Sequence, residues 1–297
     1  MTSALGARIA AGIDRPIHPA VAELAASLGR EAGAAAVLFY GSNLRTGSLD
    51  GVLDFYVLLP GRPEKGIWPR VSYRERAVGT SVLRAKIATM RFATFEQAAA
   101  GETIDTTIWA RFAQPSALAW HDETGARIRV ITALEQAAIT AARLAVVVGP
   151  AAAPEEAFWR ALFRATYRAE LRVEKPGREE AIIAAHAGHF EGLLPAALIQ
   201  ANIDYIQERG LISPAMAPAT RKRVLAWWKR RRRLGRPLNV MRLLRATGTF
   251  DGAARYAAWK VERHTGMAVK LTPFRERHPV LAAPSVLWSL WRADRER

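Results

Sequence analysis

The sequence predicts an α+β protein, with a mixed sheet in its first part and mainly helices in its second. Two short apolar runs, Ala34–Tyr40 and Val52–Leu59, each stop at Gly or Pro, as buried strands do. From about Leu134, long Ala-, Leu- and Arg-rich segments repeat apolar residues at helical spacing. A length of 297 residues suits two domains, which we place at residues 1–133 and 134–297.

The elements of the first part follow from local pattern. Apolar residues recur every three to four positions over His18–Ala32, which predicts an amphipathic helix before the first strand. The loop between the two strands is polar and contains glycines, a composition that favours turns. Further along, Ala85–Phe92 predicts another strand, and Thr107–Phe112 predicts a helix or a strand.

The second part is predicted to be mainly helical. Helical periodicity covers the segments 134–148, 155–173, 178–208 and 219–234, with Pro or Gly between most of them. The tail predicts one more helix that ends near Gly266, and an apolar stretch within Pro279–Trp291 that packs onto the rest.

Composition predicts a globular, cytoplasmic chain. Half of the residues are hydrophobic (50%), but Arg, Glu or Gly interrupts the apolar stretches before the roughly 18 residues of a membrane span. Asp14 and Arg15 interrupt the amino-terminal pattern, which therefore lacks the layout of a secretory signal. The absence of cysteine excludes disulfides and thiolate metal sites.

Positive charge is concentrated in the second part. Residues 1–150 contain 16 Lys/Arg against 13 Asp/Glu, so that +13 of the total +16 falls in residues 151–297. Such a field favours polyanionic partners: nucleic acid, an anionic membrane or nucleoside triphosphates. Basic residues beside interfacial tryptophans suit a membrane surface, although a solvated basic helix has the same pattern. The predicted membrane-binding residues are Trp227, Trp228, Lys229, Arg230, Arg231, Arg232 and Arg233.

A candidate phosphate-handling site lies between the first two strands. Gly41-Ser42 follows the first strand, and Asp54 lies 12 residues after Ser42 in the second. A Gly-Ser turn lets backbone amides and a hydroxyl approach a triphosphate, while the carboxylate holds Mg²⁺ for an in-line displacement. This pattern is typical of nucleotidyltransferases, most of which carry a second acid where this chain has Tyr56. The alternative is an ordinary hairpin in which Asp54 is a polar strand residue.

A resemblance to a known family rests on five short segments: Phe39–Asn43, Leu53–Val57, Arg84–Ala88, Ile108–Pro115 and Tyr167–Val173. In this order they are similar to motifs of the mitochondrial-type phosphatidate cytidylyltransferases, the mitochondrial translocator assembly and maintenance family. That family also has a Tyr-Gly-Ser turn and a single acid in the following strand. The resemblance covers about residues 36–205. The chain departs from it at Ala169 and Glu170, in a shortened Gly61–Ser81 segment and in its tail.

The resemblance implies a nucleotidyltransferase-like fold and an enzyme that joins CTP and phosphatidate into CDP-diacylglycerol, releasing pyrophosphate. Together with the basic second part, it predicts peripheral attachment to the inner face of the membrane. Asp54 would hold Mg²⁺, with Glu170 as a second ligand, and Lys86 would be the third catalytic residue, binding phosphates. The nucleotide-binding residues would be Gly41, Ser42, Arg111 and Arg172.

Other interpretations stay open. The same site could modify another phospholipid or an RNA end, or the chain could be a non-catalytic basic module that binds membrane or nucleic acid. Nucleic acid is disfavoured as a partner, because neither an RNA-recognition aromatic signature nor a zinc-finger spacing is present. Asp50 is an alternative second metal ligand, and Asp105 is predicted to cap a helix. His186 and His189 have a spacing that suits zinc, but no third ligand accompanies them.

Overall fold

The computed structural model describes residues 3–66, 68–79, 81–122, 125–170, 177–249, 251–265 and 272–274. The main sheet has five strands: β1 (Ala36–Tyr40), β2 (Leu53–Leu59), β3 (Arg70–Val78), β4 (Ser81–Arg91) and β5 (Ser116–His121). Their order across the sheet is β3-β4-β2-β1-β5. Strands β2 and β4 are parallel and the other neighbours are antiparallel, so the sheet is mixed, as predicted.

Helices surround this sheet and make up most of the second part. In chain order they are α1 (Ala4–Ile13), α2 (Pro19–Ala32), α3 (Ser42–Thr46), α4 (Phe92–Ala99), α5 (Thr107–Phe112), α6 (Ala126–Val148), α7 (Glu155–Ala169), α8 (Arg178–Ala185), α9 (Ala187–Phe190), α10 (Leu193–Gln200), α11 (Pro218–Thr249) and α12 (Ala253–Thr265). A separate hairpin consists of β6 (Asp204–Glu208) and β7 (Leu211–Ala215). The α+β class predicted from sequence is confirmed.

The two faces of the sheet bury two different cores, because successive side chains of a strand point to opposite faces. Val37 and Phe39 pack with Leu24 and Leu28 of α2 on one face. Leu38 and other residues of the opposite face join a larger core that continues through α4–α7 and α10. The larger core reaches from α1 to Trp228, so the sheet and the helical part share one interior.

Helix α6 connects the two parts of the chain. The predicted domain boundary at 133/134 falls inside it, between the buried residues Ala133 and Leu134. By length and mean hydropathy this helix also suffices to cross a bilayer, but 72% of its apolar stretch is buried in the fold. It occupies the position of a central core helix.

The predicted helix 178–208 is wrong in its extent. The chain breaks at His186 and again at Gly192, whose φ of 72° places it in the left-handed region. Residues 204–208 form a strand, because Arg209 and Gly210 both adopt positive φ and close a two-residue hairpin turn. Gly210 is therefore a turn glycine between two strands.

Helix α11 is longer than the predicted 219–234 and holds the end of α7 in place. A Cβ atom on Gly235 would lie 2.6 Å from the carbonyl oxygen of Ala169, so α11 can cross this point only with glycine there. One turn later, the Asn239 amide donates to the carbonyl oxygen of Glu170. The helix predicted to end near Gly266 is α12, whereas the Pro279–Trp291 segment lies outside the described residues.

Candidate active site

Three polar side chains stand side by side where β1 ends and β2 begins. Tyr40 pairs with Asp54 across the antiparallel β1–β2 ladder, and Asp54 pairs with Lys86 across the parallel β2–β4 ladder. Directly paired residues point to the same face of a sheet. The sheet thus brings the predicted residues Asp54 and Lys86 together on the face that α5 covers.

The turn after β1 is shaped around Asp54. Gly41 has a φ of 90°, which favours glycine, and a Cβ atom there would lie 3.0 Å from Oδ2 of Asp54. Ser42 begins α3, and the buried Asn43 amide ties the following loop by donating to the carbonyl oxygens of Ser48 (2.9 Å) and Asp50 (2.7 Å). The predicted Gly41-Ser42 turn therefore adjoins the carboxylate, while the backbone of Asp50 anchors the loop.

Arg111, from the last turn of α5, lies over this group. Its guanidinium carbon is 4.9 Å from the centre of the Tyr40 ring, and among the described residues its buried Nε has no hydrogen-bond partner. Burial alone lowers the pKa of Arg111, but nearby Tyr40, Tyr56, Asp54 and Glu170 hold that pKa above its ordinary value. A permanently charged guanidinium therefore stands beside Asp54 with a donor left over for a ligand.

The charge state of Asp54 depends on these cations. Burial raises the pKa of its carboxyl group above the ordinary value, while the charges of Lys86 and Arg111 act in the opposite direction. Lys86 and Arg111 thus offset part of the cost of burying the carboxylate.

The pocket in front of Asp54 has a volume of about 360 Å³ and is mainly polar. Residues of β1, β2 and β4 line it together with residues of α3, α5, α7 and α8. Of the predicted residues, it brings together Gly41, Ser42, Asp54, Lys86 and Arg111. Residues that sequence analysis did not select also line it: Tyr40, Arg45, Gln114, Pro115, Tyr167, Ala181, Ile182, Ala185 and His186.

Glu170, the second predicted metal ligand, does not line this pocket. Its side chain is 6% exposed, and its carboxylate accepts a hydrogen bond of 2.5 Å from the hydroxyl of Thr106. It acts on the site through charge, since it is one of the groups that raise the pKa of Arg111. The structure therefore does not bring the two predicted metal ligands into one pocket, because Glu170 is the buried residue that ends α7 and only Asp54 of the two lines the pocket.

The donor set fits a magnesium ion only as a site completed by substrate. Of the residues that the structure describes, Asp54 is the carboxylate that lines the pocket, and Ser42 adds a hydroxyl. Among the described residues, no group of three or more His, Asp or Glu side chains could hold a metal ion. Mg²⁺ is commonly bound through one or two carboxylates together with substrate phosphates, which is what this pocket can offer.

The predicted membrane-binding run divides into buried and exposed members. Trp228 is 5% exposed and Arg231 4% exposed, and both pack inside the fold, so their assignment to a membrane surface is wrong. Trp227 is half-buried and donates through Nε1 to the carbonyl oxygen of Gly101 at 2.9 Å. The exposed members are Lys229, Arg230, Arg232 and Arg233.

Arg231 has a structural role. Its guanidinium donates to the carbonyl oxygens of Gly101 and Thr103, each at 2.5 Å, and lies 3.9 Å from the centre of the Trp227 ring. Burial, with a smaller contribution from neighbouring Arg230, lowers its pKa to about 10. The side chain fastens α11 to the loop after α4.

A second buried arginine contact lies near the site. Asp105 precedes Thr106, the N-cap residue of α5, and satisfies the first helical amide, as expected of a capping side chain, by accepting from the Thr107 amide at 2.8 Å. Its carboxylate also accepts two hydrogen bonds from Arg242 of α11, at 2.9 and 2.5 Å. No local pattern in the sequence indicates this pair, which links residues 137 positions apart.

The remaining predictions about candidate residues have separate outcomes. His186 lines the pocket, whereas the His189 ring contacts the carbonyl oxygen of Ala113 at 3.0 Å. Arg172 lies outside the described residues. Its predicted contact with nucleotide therefore stays a prediction.

Comparison with known proteins adds no family assignment. No protein-family model matches the chain, and no curated protein sequence matches it either. The function must therefore be inferred from the geometry of the site.

Proposed function

We propose that the chain is a Mg²⁺-dependent nucleotidyltransferase that joins CTP and phosphatidate into CDP-diacylglycerol, releasing pyrophosphate. The observation that carries this proposal is the position of Asp54 between Lys86 and Arg111, directly behind the Gly41-Ser42 turn. A carboxylate for a metal and two cations for phosphates are the groups that nucleotidyl transfer requires.

The charge of the pocket supports a triphosphate ligand. Among the described residues, its lining contains one carboxylate, Asp54, against the cations Arg45, Lys86 and Arg111. A triphosphate brings about four negative charges and can engage the guanidinium fork of an arginine in paired hydrogen bonds. The pocket is therefore complementary to a nucleotide that arrives together with its magnesium ion.

The residues of the chain position the reacting phosphates and neutralise their charge, and no general base is needed. The acceptor phosphate, already a dianion near neutral pH, attacks the α-phosphorus of CTP through one oxygen. The bond to the bridging oxygen breaks, and pyrophosphate leaves with the electron pair, so that no proton is transferred. Lys86 and Arg111 stabilise the charge that develops on the transferring phosphate. When bound, Mg²⁺ at Asp54 would add charge neutralisation at the phosphate oxygens.

The choice of cytidine as the base and of phosphatidate as the acceptor rests on the family resemblance. The Tyr40-Gly41-Ser42 turn and the single acid at Asp54 match that family, and both lie at the pocket. We further propose that the exposed Lys229, Arg230, Arg232 and Arg233 hold the chain peripherally on the inner, anionic membrane face that presents phosphatidate.

The test is transfer of label into lipid. Purified protein is incubated with phosphatidate in mixed micelles, Mg²⁺ and each of four radiolabelled nucleoside triphosphates, and the lipid phase is chromatographed. We expect label from CTP alone. Asp54→Asn should reduce this transfer by about a thousandfold or more while circular dichroism stays unchanged, because it removes the carboxylate at the reacting phosphates.

Asp50→Asn is the matched control, since Asp50 is an exposed loop acid outside the pocket lining. It should keep most of the activity. Label from no nucleotide, with CTP binding intact, would show that the acceptor is wrong. Absence of any nucleotide binding would overturn the proposal as a whole and favour a non-catalytic basic module.

A further inference from the structure

A second cleft opens beside the candidate active site. It has a volume of about 470 Å³ and lies between α1, α3 and the junction of α8 with α9. It shares four lining residues with the first pocket, namely Arg45, Pro115, Ala185 and His186. The two cavities are therefore neighbours across one rim, and a molecule in one can reach a molecule in the other.

Among the described residues, the lining of this arginine cleft carries positive charge alone. Arg8, Arg15 and Arg45 line it together with His186 and His189, and no described carboxylate does. The nearest acid along α1, Asp14, is engaged with Arg127 at 2.5 Å. A cavity lined by cations and without a counter-charge binds anions.

Two histidines face the arginines but do not add charge near neutral pH. Burial, followed by the charges of Arg45 and Arg15, lowers the pKa of His186. Burial also lowers the pKa of His189 to about 4, against a raising effect of its contact with Ala113. The positive charge of the cleft is therefore that of its arginines.

The three arginines differ in what they already bind. The Arg8 guanidinium donates to the carbonyl oxygens of Gly188 (3.2 Å), His189 (2.9 Å) and Glu191, and thereby holds α9 in place. Arg15 donates only through its Nε, to the carbonyl oxygen of Gly12 at 2.7 Å. Within the described part of the chain, the terminal nitrogens of Arg15 and the whole Arg45 guanidinium have no protein partner.

We infer that the arginine cleft is the acceptor subsite and that Arg15 and Arg45 bind a phosphomonoester in it. This inference rests on the proposed function of the adjoining pocket. The bound phosphomonoester would present its oxygen to the α-phosphorus of the nucleotide across the rim at Arg45 and His186. The substrate class is thus any phosphomonoester that fits the cleft, whether a lipid headgroup or a water-soluble phosphate ester.

The role of Arg15 can be tested separately from the nucleotide site, because Arg15 lines the second cleft and not the first. Glycerol 3-phosphate and CTP are titrated separately into wild-type protein and into Arg15→Gln by calorimetry. We expect Arg15→Gln to weaken glycerol 3-phosphate binding by about tenfold or more and to change CTP affinity less than twofold. In the transfer assay the KM for the acceptor should rise while kcat changes little.

Arg30→Gln is the matched control, since it removes one exposed arginine that lines neither cavity. Equal weakening by Arg30→Gln and Arg15→Gln would overturn the inference, because only the net charge would matter. So would an absence of glycerol 3-phosphate binding in a protein that binds CTP, which leaves the proposed function standing. Binding that depends on Arg15 in a protein unable to bind CTP would instead support the subsite and overturn the proposed function.

The source of the phosphomonoester follows from the acceptor arm of the same assay. Transfer to phosphatidate in micelles but not to glycerol 3-phosphate would show that the acceptor must be a lipid headgroup. Equal transfer to both would show that a water-soluble phosphomonoester is sufficient as the acceptor. Either result supports the subsite if its KM depends on Arg15.

Discussion

The basic run of α11 is continuous in sequence but divided in the fold, whereas the basic residues of the two cavities are separated in sequence but close together in the fold. Lys229–Arg233 is the densest cluster of charge along the chain, yet four of its members are exposed to solvent. The fifth, Arg231, is buried and its hydrogen bonds hold the helix in place. The cavity cations Arg15, Arg45, Lys86 and Arg111 are scattered over almost a hundred residues and converge around one rim. Charge density along a sequence is therefore a poor guide to where a polyanion binds.

The largest expected effect on stability comes from the buried member of the basic run. Arg231→Met removes two charged hydrogen bonds to the carbonyl oxygens of Gly101 and Thr103, which we expect to cost about 2–3 kcal/mol in the free energy of unfolding. The adjacent Arg232→Met removes an exposed charge and should change it by less than about 0.5 kcal/mol. Urea unfolding of both variants measures the difference. Equal stability of the two would mean that Arg231 does not fasten α11.

The second expected effect is a pH dependence of stability that comes from the buried, neutral His189. Burial, offset in part by Ala113 and strengthened by Arg15, Arg8 and His186, lowers the pKa of His189 to about 4. Between about pH 6.5 and 4, His189 is thus protonated in the unfolded chain but stays neutral in the folded chain. The stability that neutral His189 contributes is complete above pH 6.5 and is lost as the pH falls towards 4.

The loss amounts to at most about 3 kcal/mol, since one pKa unit corresponds to about 1.4 kcal/mol. Denaturant midpoints at pH 7 and pH 4.5 should therefore differ less for His189→Gln than for wild type. His121→Gln, at an exposed position, serves as the control and should retain the wild-type difference. The same pH response in all three proteins would contradict a buried neutral His189.

The smallest expected effect is that of the solvated charges. Arg232→Gln together with Arg233→Gln should weaken flotation with anionic vesicles by about thirtyfold, because each basic residue near such a surface contributes about 1 kcal/mol. CTP affinity should stay within about twofold of wild type, as neither residue lines the pocket. Arg30→Gln with Arg62→Gln makes the same charge change at exposed positions elsewhere. Vesicle binding that responds alike to both pairs would remove α11 as the membrane contact.

Sequence reasoning recovered the parts of the fold and the site that local pattern determines. The apolar runs predicted β1 and β2, and the Gly41-Ser42 turn and Asp54 could be found because they are separated by one loop. The pairing of Asp54 with Lys86 depends on the parallel alignment of β2 and β4, which no local pattern encodes.

The errors have the same origin. The membrane-surface prediction for Arg231 rests on its basic neighbours in sequence, whereas its position within one helix turn makes it face the interior. The metal-ligand prediction for Glu170 rests on its position in a motif, but the residue ends α7 and contacts Thr106 and α11. Arg45 and Tyr167 also line the pocket, although neither is among the predicted site residues.

The central claim is that scattered cations at the end of the sheet, and not the basic run, bind the nucleotide. The direct measurement is the affinity for CTP, by calorimetry, of Lys86→Met and of Lys229→Met, which remove the same charge from the pocket and from the run. We predict that Lys86→Met weakens CTP binding by about tenfold or more and that Lys229→Met changes it by less than twofold. Equal losses in the two variants, or a larger loss in Lys229→Met, would contradict the account.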